Sequence, residues 1–404
     1  MERTSVVAGP TQMPALLGGT PALAEPARVG RPNTVGRARF LERLNGALDR
    51  GVLSNGGPLV REFEQRVAEL AGVRYAVATC NATAALQLAV RATGLTGEVI
   101  VPAFTFPATA HAVAWTGLTP VFCDVDPHTG SLDLGHAESL IGPRTSAILG
   151  VHTFGRPHGL DALQQLADGY GLRLLFDAAH ALGCTWGGRA VGGFGDAEVF
   201  SFHATKFVHS FEGGALVTDD PQLARRAAAM ANFGYDEDGR PEHLGINAKM
   251  SEASAAMGLT SLDHLEEFRA HNRTLHERYS AGLAGLPGVT VLPFDEQERN
   301  NYQYAVLHVD ADGLGLTRDE LDLALRADNV VTRRYFHPGL HQAAPYRGGP
   351  RLPHTESLAD RCLVLPTGTA TSAHDAERIA FAVHRVAAHA AAVAGALGAV
   401  PAAA

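Results

Sequence analysis

The stretch SFHATKFVHSFEGGAL, residues 201–216, begins in one apolar run, EVFSFHA, and ends in another, GALVTDD. Both runs are typical of β-strands, and a single lysine, Lys206, lies between them among small residues, aromatics and histidines. Four more strand-like runs precede this stretch: EVIVPAF, TPVFCDVD, SAILGVHTFG and LRLLFDAAH. They alternate with runs of helical spacing: GPLVREFEQRVAEL, ATAALQLAVRAT and LDALQQLADGYG. The alternation predicts an α/β domain with a mostly parallel central sheet and helices on both faces.

The chain divides into four predicted parts. Residues 1–30 form an N-terminal arm rich in Pro, Gly and Ala, and residues 31–265 form the large domain. A long helical run from residue 251 to about 284 leads into strand and helix patterns that predict a small C-terminal α+β domain, residues 266–390. The Ala-rich tail, residues 391–404, has little to bury, and we expect it to fray.

Composition excludes several classes of function. The 404 residues are 46% hydrophobic and 19% charged, with a formal net charge of −9, which argues against a nucleic-acid-binding surface. No apolar run reaches membrane-spanning length and no CxxC pair suggests zinc. We therefore expect no membrane or nucleic-acid partner, no metal, and a cytoplasmic location. The four cysteines are far apart, as in a protein of reduced, buried thiols: Cys80, Cys123, Cys184 and Cys362.

Three features of the large domain fall at predicted strand ends, where ligands bind in such sheets. Residues 79–83 open a helix whose free N–H groups suit a phosphate, although Asn81 there is also an ordinary N-cap. Asp177 ends an apolar strand with His180 three residues later, and a cap or turn aspartate is the alternative. Lys206 follows the next strand, and alone it would be read as a solvated surface lysine.

Together the three features are more specific than any one of them. A pyridoxal-phosphate enzyme needs an amine that binds the cofactor covalently, a carboxylate for its ring nitrogen and an anion site for its phosphate. All three occur in order within one domain. The carboxylate keeps the ring nitrogen protonated, and the freed lysine is then placed to move a proton at the reacting carbon.

Seven segments carry a resemblance to a known family: GPLVREFE, NATAALQLAV, VPAFTFPATAHAV, PVFCDVDPHTGSLD, FDAAHALG, SFHATKFVHSFEGGAL and GINAKMSEASAAMG. In order and spacing they resemble the motifs of DegT-type nucleotide-sugar aminotransferases, over residues 18 to about 386. These are fold type I pyridoxal-phosphate enzymes. The resemblance implies a homodimer in which each subunit completes its neighbour's site.

The resemblance also implies roles for individual residues. Lys206 matches the lysine that binds the cofactor, Asp177 the partner of the ring nitrogen, and His180 the residue near the ring hydroxyl. Phe106 matches the aromatic that stacks on the ring, and Asn247 an asparagine that reaches the neighbouring subunit's phosphate. Three further positions match those that hold the phosphate: Ala82, Thr83 and Ser201.

The implied activity is transfer of an amino group, with glutamate as the expected donor, to a nucleotide-linked keto-deoxy sugar. Some relatives have histidine at the position of Lys206 and perform dehydration, so the lysine here argues against that activity. The SFH motif followed by EGG resembles enzymes acting on 4-keto sugars, so we expect a 4-keto-6-deoxyhexose. A 3-keto sugar, a keto-cyclitol without a nucleotide, and a non-catalytic sugar-binding or cofactor-binding regulator remain as alternatives.

Other polar positions are candidates for contact with the substrate: His203, His209, Arg333, Arg334 and His337. Each position also has a purely structural alternative. The histidines beside Lys206 could make structural hydrogen bonds, and the two arginines could be a solvent-exposed pair on the surface. The segment HPGLH, residues 337–341, does not predict a metal-binding helix, because proline and glycine separate its histidines. The segment GGRAVGGFG, residues 187–195, lacks dinucleotide-loop spacing and predicts a hairpin or active-site turn.

Overall fold

The computed structural model describes residues 12–236 and 238–398. The strands are β1 Ala27–Arg28, β2 Tyr75–Thr79, β3 Glu98–Pro102, β4 Thr119–Cys123, β5 Thr145–Val151, β6 Arg173–Asp177, β7 Thr185–Trp186, β8 Arg189–Ala190, β9 Ala197–Ser201, β10 Gly214–Thr218, β11 Val289–Val291, β12 Ala305–Val309, β13 Val330–Val331 and β14 Cys362–Leu365.

The α-helices are α1 Arg37–Arg50, α2 Pro58–Ala71, α3 Ala82–Ala92, α4 Pro107–Trp115, α5 Leu134–Ser139, α6 Leu160–Tyr170, α7 Pro221–Ala231, α8 Glu252–Asp263, α9 Leu265–Gly282, α10 Ala311–Leu314, α11 Arg318–Ala327, α12 Pro353–Arg361, α13 Ala373–Ala388 and α14 Ala390–Gly398.

The large domain is built on one seven-stranded sheet with the order β2-β10-β9-β6-β5-β3-β4. Strand β10 runs antiparallel to both of its neighbours, and the other pairings are parallel. All six predicted strands are present, which confirms the α/β class. Strand β2 was missed, because its YAVAT sequence is alanine-rich and has one exposed end at Tyr75.

Helices cover both faces of this sheet because alternate strand residues point to opposite sides. In β3, Val101 packs in the cluster that includes residues of α3, α4 and α7, whereas Ile100 packs in the cluster that includes residues of α5 and α6. Helices α2 and α8 cover the β9 and β10 end of the second face. The strand ends are therefore held between two apolar layers.

The small domain contains the antiparallel sheet β11-β12-β14, covered by α9, α11 and α13. The predicted long helix is two helices, since His264 leaves helical geometry with φ −106° and ψ 11° between α8 and α9. Leu265 and Phe268 pack in the core of the large domain, and Leu275 and Tyr279 in that of the small one. The boundary predicted near residue 265 stays a prediction.

The chain ends pack closely where the structure describes them. The arm places Ala22 and Leu23 in the small-domain core, and β1 pairs with β13; residues 1–11 of the predicted arm lie outside the described residues. The expected fraying of the tail is wrong for its described part, because α14 buries Val393 completely. Residues 399–404 lie outside the described residues.

Within the described residues, no single helix is both long and apolar enough to cross a membrane. Helices α13 and α14 reach that length and hydropathy only when they are counted as one helix, and the chain bends by 79° between them. The cysteines are free thiols, as predicted, with Cys123, Cys184 and Cys362 buried and Cys80 partly buried.

Candidate active site

A cavity of ≈ 400 Å³ opens beyond the carboxyl ends of β6 and β9. It brings together residues that are more than 200 positions apart in the chain. The predicted residues in its wall are Ala82, Thr83, Phe106, Asp177, His180, Ser201, His203, Lys206 and Arg333. The sheet therefore gathers most of the candidates at one edge, where the parallel strand order predicts a site.

Lys206 lies in a tight turn after β9, where its backbone N–H donates to His203 O across 2.8 Å. The side chain is partly buried and its Nζ lies 3.4 Å from Tyr304 Oη. Burial lowers the pKa of the Lys206 amine to about 8, and the neighbouring Tyr335 and Asp177 side chains limit the decrease. A much larger fraction of this amine is thus neutral near pH 8 than in an exposed lysine, and the neutral amine is the nucleophilic form.

Asp177 is the last residue of β6 and is only 6% exposed. Its Oδ2 accepts a hydrogen bond from Thr109 Oγ1 at 2.8 Å, and its Oδ1 accepts one from the Ala179 backbone N–H at 3.1 Å. Burial raises the pKa of the Asp177 carboxyl, while these donors and the charge of Lys206 oppose the rise. The carboxylate is fixed in place and faces the cavity with capacity for a cationic N–H donor.

His180 is 8% exposed and lies among aromatic rings, with centroids 4.8 Å from Tyr304 and 6.2 Å from Phe336. Burial lowers the pKa of its imidazole well below the usual value. No partner for His180 Nδ1 occurs among residues 12–236 and 238–398. A neutral, buried ring nitrogen in a cavity wall is suited to a polar group of a bound ligand.

The start of α3 supplies backbone N–H groups. Asn81 is an ordinary N-cap, as its alternative reading predicted, because its Oδ1 accepts from the Ala84 N–H at 2.9 Å. The register of the sheet sets Gly214 opposite both Thr79 and Ser201, so Ser201 lies close to the start of α3. A β-carbon on Gly214 would lie 2.6 Å from Ala82 N, so this close approach requires glycine. The site offers helix N–H donors and the Ser201 hydroxyl to an anion.

Phe106 precedes α4 and is 54% exposed, although it lies in the cavity wall. A single exposed apolar ring is common on protein surfaces, so the assignment of Phe106 rests on its place in the cavity wall. The position suits a face that stacks on a planar group.

The structure does not bring four of the predicted residues into this cavity. His209 is buried and bonds Asn33 O through Nε2 at 2.9 Å, which agrees with its structural alternative rather than substrate contact. Arg334 pairs with Asp319 at 3.1 Å and His337 with Asp360 at 3.1 Å, both outside the cavity wall. Asn247 is exposed and accepts a hydrogen bond from Lys249 Nζ at 2.8 Å.

Sequence reasoning also missed residues that the fold adds to the site. Thr109 lies within one helical turn of Phe106 in the same motif, and that spacing was a usable signal. The others come from distant segments or from the lysine loop and carry no local signal: Thr205, Glu212, Tyr304, Tyr335 and Phe336.

Residues 35–384 match the model of the DegT/DnrJ/EryC1/StrS aminotransferase family. The chain belongs to this family. It is 36% identical over 349 residues to the dTDP-4-amino-4,6-dideoxy-D-glucose transaminase of Escherichia coli, a match that covers 84% of this chain and 93% of that protein. A protein of Bacillus subtilis named spore coat polysaccharide biosynthesis protein SpsC is 34% identical, with 86% and 94% covered.

Solved structures of the family share the fold. DesI, determined in the presence of its TDP-sugar product, superimposes with a TM-score of 0.91 at 56% identity, covering 94% of this chain and 98% of DesI. DesV of S. venezuelae, in complex with a ketimine intermediate, gives 0.82 at 34% identity, with 87% and 95% covered. The predicted family, fold class, transaminase activity and pyridoxal-phosphate dependence are confirmed.

The residues present fit the cofactor of this family. The cavity offers an amine of lowered pKa at Lys206, a fixed carboxylate at Asp177 and an unpartnered nitrogen at His180. The start of α3 supplies donors for a phosphate, and the residues that the structure describes contain no group of three or more His, Cys, Asp or Glu that could hold a metal.

Proposed function

We propose that this aminotransferase moves the amino group of an amino acid, glutamate, to the keto carbon of a nucleotide-linked 4-keto-6-deoxyhexose. The observation that carries the proposal is the meeting of Lys206, Asp177 and the start of α3 in one cavity. Two relatives named dTDP-4-amino-4,6-dideoxy-D-glucose transaminase, at 36% and 33% identity, support the sugar, as does the TDP-sugar product of DesI.

Each residue in the cavity has a distinct task in this proposal. Pyridoxal phosphate supplies an electron sink when bound. Lys206 would hold the cofactor covalently and, as a free amine, would move a proton at the reacting carbon. Asp177 would keep the ring nitrogen protonated, and His180 would contact the ring hydroxyl. Phe106 would stack on the ring. Ala82, Thr83 and Ser201 would hold the phosphate.

We assign contact with the substrate to Arg333 and His203. Arg333 is exposed in the cavity wall and has no carboxylate partner among the described residues, so its charge is available to a diphosphate or a donor carboxylate. His203 is held by Thr205 Oγ1 at 2.8 Å and by Glu212 at 3.5 Å, which orients its ring in the cavity wall. We assign the nucleotide diphosphate to Arg333.

Asn247 acts in the neighbouring subunit's site. It lies in an exposed apolar surface whose members are Leu244, at 82% exposure, together with Phe233, Tyr235 and Ile246. A surface of this kind on a single chain is best explained by coverage with a second copy. In that homodimer we assign Asn247 to the partner's phosphate, as the resemblance implies.

The experiment that tests this proposal relies on the small number of lysines in the chain. The sequence contains only two lysines, Lys206 and Lys249. Protein loaded with pyridoxal phosphate should absorb as a covalent adduct, lose that band with L-glutamate and regain it with one 4-keto nucleotide sugar. Borohydride reduction followed by peptide mass analysis should mark Lys206.

Lys249→Ala is the matched control, because Lys249 Nζ donates to Asn232 and Asn247 and lies outside the cavity wall. Lys206→Ala should lose the band and Lys249→Ala should keep it. A reduced adduct on Lys249, or a band that only a 3-keto sugar restores, would contradict the proposal.

A further inference from the structure

A second, much smaller cavity adjoins Lys206. Its volume is ≈ 10 Å³, which is about the room that one water molecule needs. Its wall includes Lys206 and Tyr304, together with Asn272 from α9 and Gln303 from the strand region of the small domain. The cavity therefore lies where the two domains meet, at the reactive amine.

Two buried amides in this wall have unused donors. Asn272 is 1% exposed and its Oδ1 accepts from the Gly368 N–H at 3.0 Å. Gln303 is 4% exposed and its Oε1 accepts from the Phe207 N–H at 3.5 Å. Because each amide oxygen accepts one of these backbone N–H groups, each NH₂ group points away from that backbone donor. Within residues 12–236 and 238–398, neither Nδ2 of Asn272 nor Nε2 of Gln303 has an acceptor.

Tyr304 connects this cavity to the lysine. Its Oη lies 3.4 Å from Lys206 Nζ. Burial raises the pKa of the Tyr304 hydroxyl, and the neighbouring Gln303 side chain partly offsets the rise. Both side chains lie in the wall of this cavity.

We propose that one water molecule binds in this cavity, accepts hydrogen bonds from Asn272 and Gln303, and with Tyr304 positions the Lys206 amine. A water that accepts two N–H groups keeps two protons to donate, and the Tyr304 oxygen and a neutral Lys206 amine are acceptors in the same wall. A chloride ion, which accepts hydrogen bonds but donates none, is the alternative occupant. The role at Lys206 rests on the function proposed above; the water site itself does not.

The first experiment is a pair of high-resolution crystal structures of the full chain, with and without pyridoxal phosphate. Both should show a density peak within hydrogen-bonding distance of Asn272 Nδ2 and Gln303 Nε2. An empty cavity, or a peak with anomalous signal after a bromide soak, would overturn the assignment. The cofactor-free structure tests the water site by itself. Failure of the protein to bind the cofactor would therefore count against the proposed function and not against the water site.

Variants test the role at Lys206. Gln303→Met should lose the peak, whereas Tyr302→Phe should keep it, because the Tyr302 hydroxyl bonds Glu296 at 3.0 Å, outside this cavity wall. The glutamate half-reaction should slow by about fivefold in Gln303→Met, the rate equivalent of one neutral hydrogen bond, with cofactor content unchanged.

Tyr304→Phe should slow the half-reaction by a similar factor, and the double variant should add little, because both changes break one chain of hydrogen bonds. Merely structural roles would instead give additive losses. An unchanged rate in Gln303→Met, or additive losses in the double variant, would overturn the positioning role.

Discussion

Thr109 Oγ1 donates a hydrogen bond to Asp177 Oδ2 across 2.8 Å, and a second threonine, Thr105, lies 2.8 Å behind it. The carboxylate expected to pair with the cofactor ring is thus oriented by the helix that follows Phe106. Because burial alone raises the pKa of Asp177, this donor helps to keep the carboxyl ionised.

Thr109→Val should weaken the site by removing that donor while preserving side-chain shape. A hydrogen bond to a charged group is worth about 1.5–3 kcal/mol, so cofactor affinity or turnover should fall by about tenfold to a hundredfold. Equilibrium titration with pyridoxal phosphate and steady-state rates measure this. Thr109→Ser retains the hydroxyl and should remain close to wild type; equal losses in both variants would contradict the role.

Gly214→Ala should disrupt the start of α3. The new β-carbon would lie 2.6 Å from Ala82 N, a backbone atom that cannot move without shifting the helix. We expect strongly reduced phosphate and cofactor affinity, measured by titration with inorganic phosphate and pyridoxal phosphate.

Gly169→Ala is the matched control for that substitution. Gly169 lies within α6 and nothing lies within 4 Å of its added β-carbon. Alanine there should leave cofactor affinity unchanged and should stabilise the chain by no more than about 0.5–1 kcal/mol, the cost of a glycine in the middle of a helix, since Gly169 lies in the last turn. Normal phosphate affinity in Gly214→Ala would show that the anion does not use α3.

The rate at which cofactor-free protein binds pyridoxal phosphate covalently should rise with pH and level off. The pKa of Lys206 is lowered to about 8, so the amine is protonated and unreactive well below pH 8 and mostly neutral above it. The plateau should begin above about pH 8, rather than above the ordinary lysine value near 10.5. Stopped-flow absorbance across this range provides the profile, and a midpoint near 10 would exclude the effect of burial.

Arg333→Ala should raise the KM for the nucleotide sugar by about tenfold to a hundredfold, the loss of one charge-assisted contact. Arg334→Ala is the neighbouring control, because Arg334 is paired with Asp319 outside the cavity wall. Its KM should stay near wild type. A larger effect from Arg334 than from Arg333 would reverse the assignment.

Mixing two inactive variants tests the shared site. Lys206→Ala and Asn247→Ala subunits should each have low activity alone. A mixed dimer, formed after subunit exchange, should regain activity because one of its two sites then has both residues intact. Sedimentation establishes the dimer, and a mixture that stays inactive despite exchange would place Asn247 outside the neighbouring site.

The cytoplasmic location and the individual residue roles stay predictions. The strand ends, by contrast, could be predicted from the sequence, because buried strands of a parallel sheet are near-continuous hydrophobic runs that end in polar residues. Asp177 and Lys206 each follow such a run, so their convergence follows from the alternation of strands and helices.

The sequence by itself determined the sheet, the cofactor-binding lysine and carboxylate as candidates, and the family, because these depend on local patterns and ordered motifs. Only the tertiary structure decided which histidines and arginines face the cavity. His203 and His209 lie six residues apart, yet one reaches the cavity and the other bonds Asn33. Tyr304 reaches Lys206 from 98 positions away. Such contacts depend on how segments distant in the chain pack together, and the hydrophobic periodicity within each segment does not encode them.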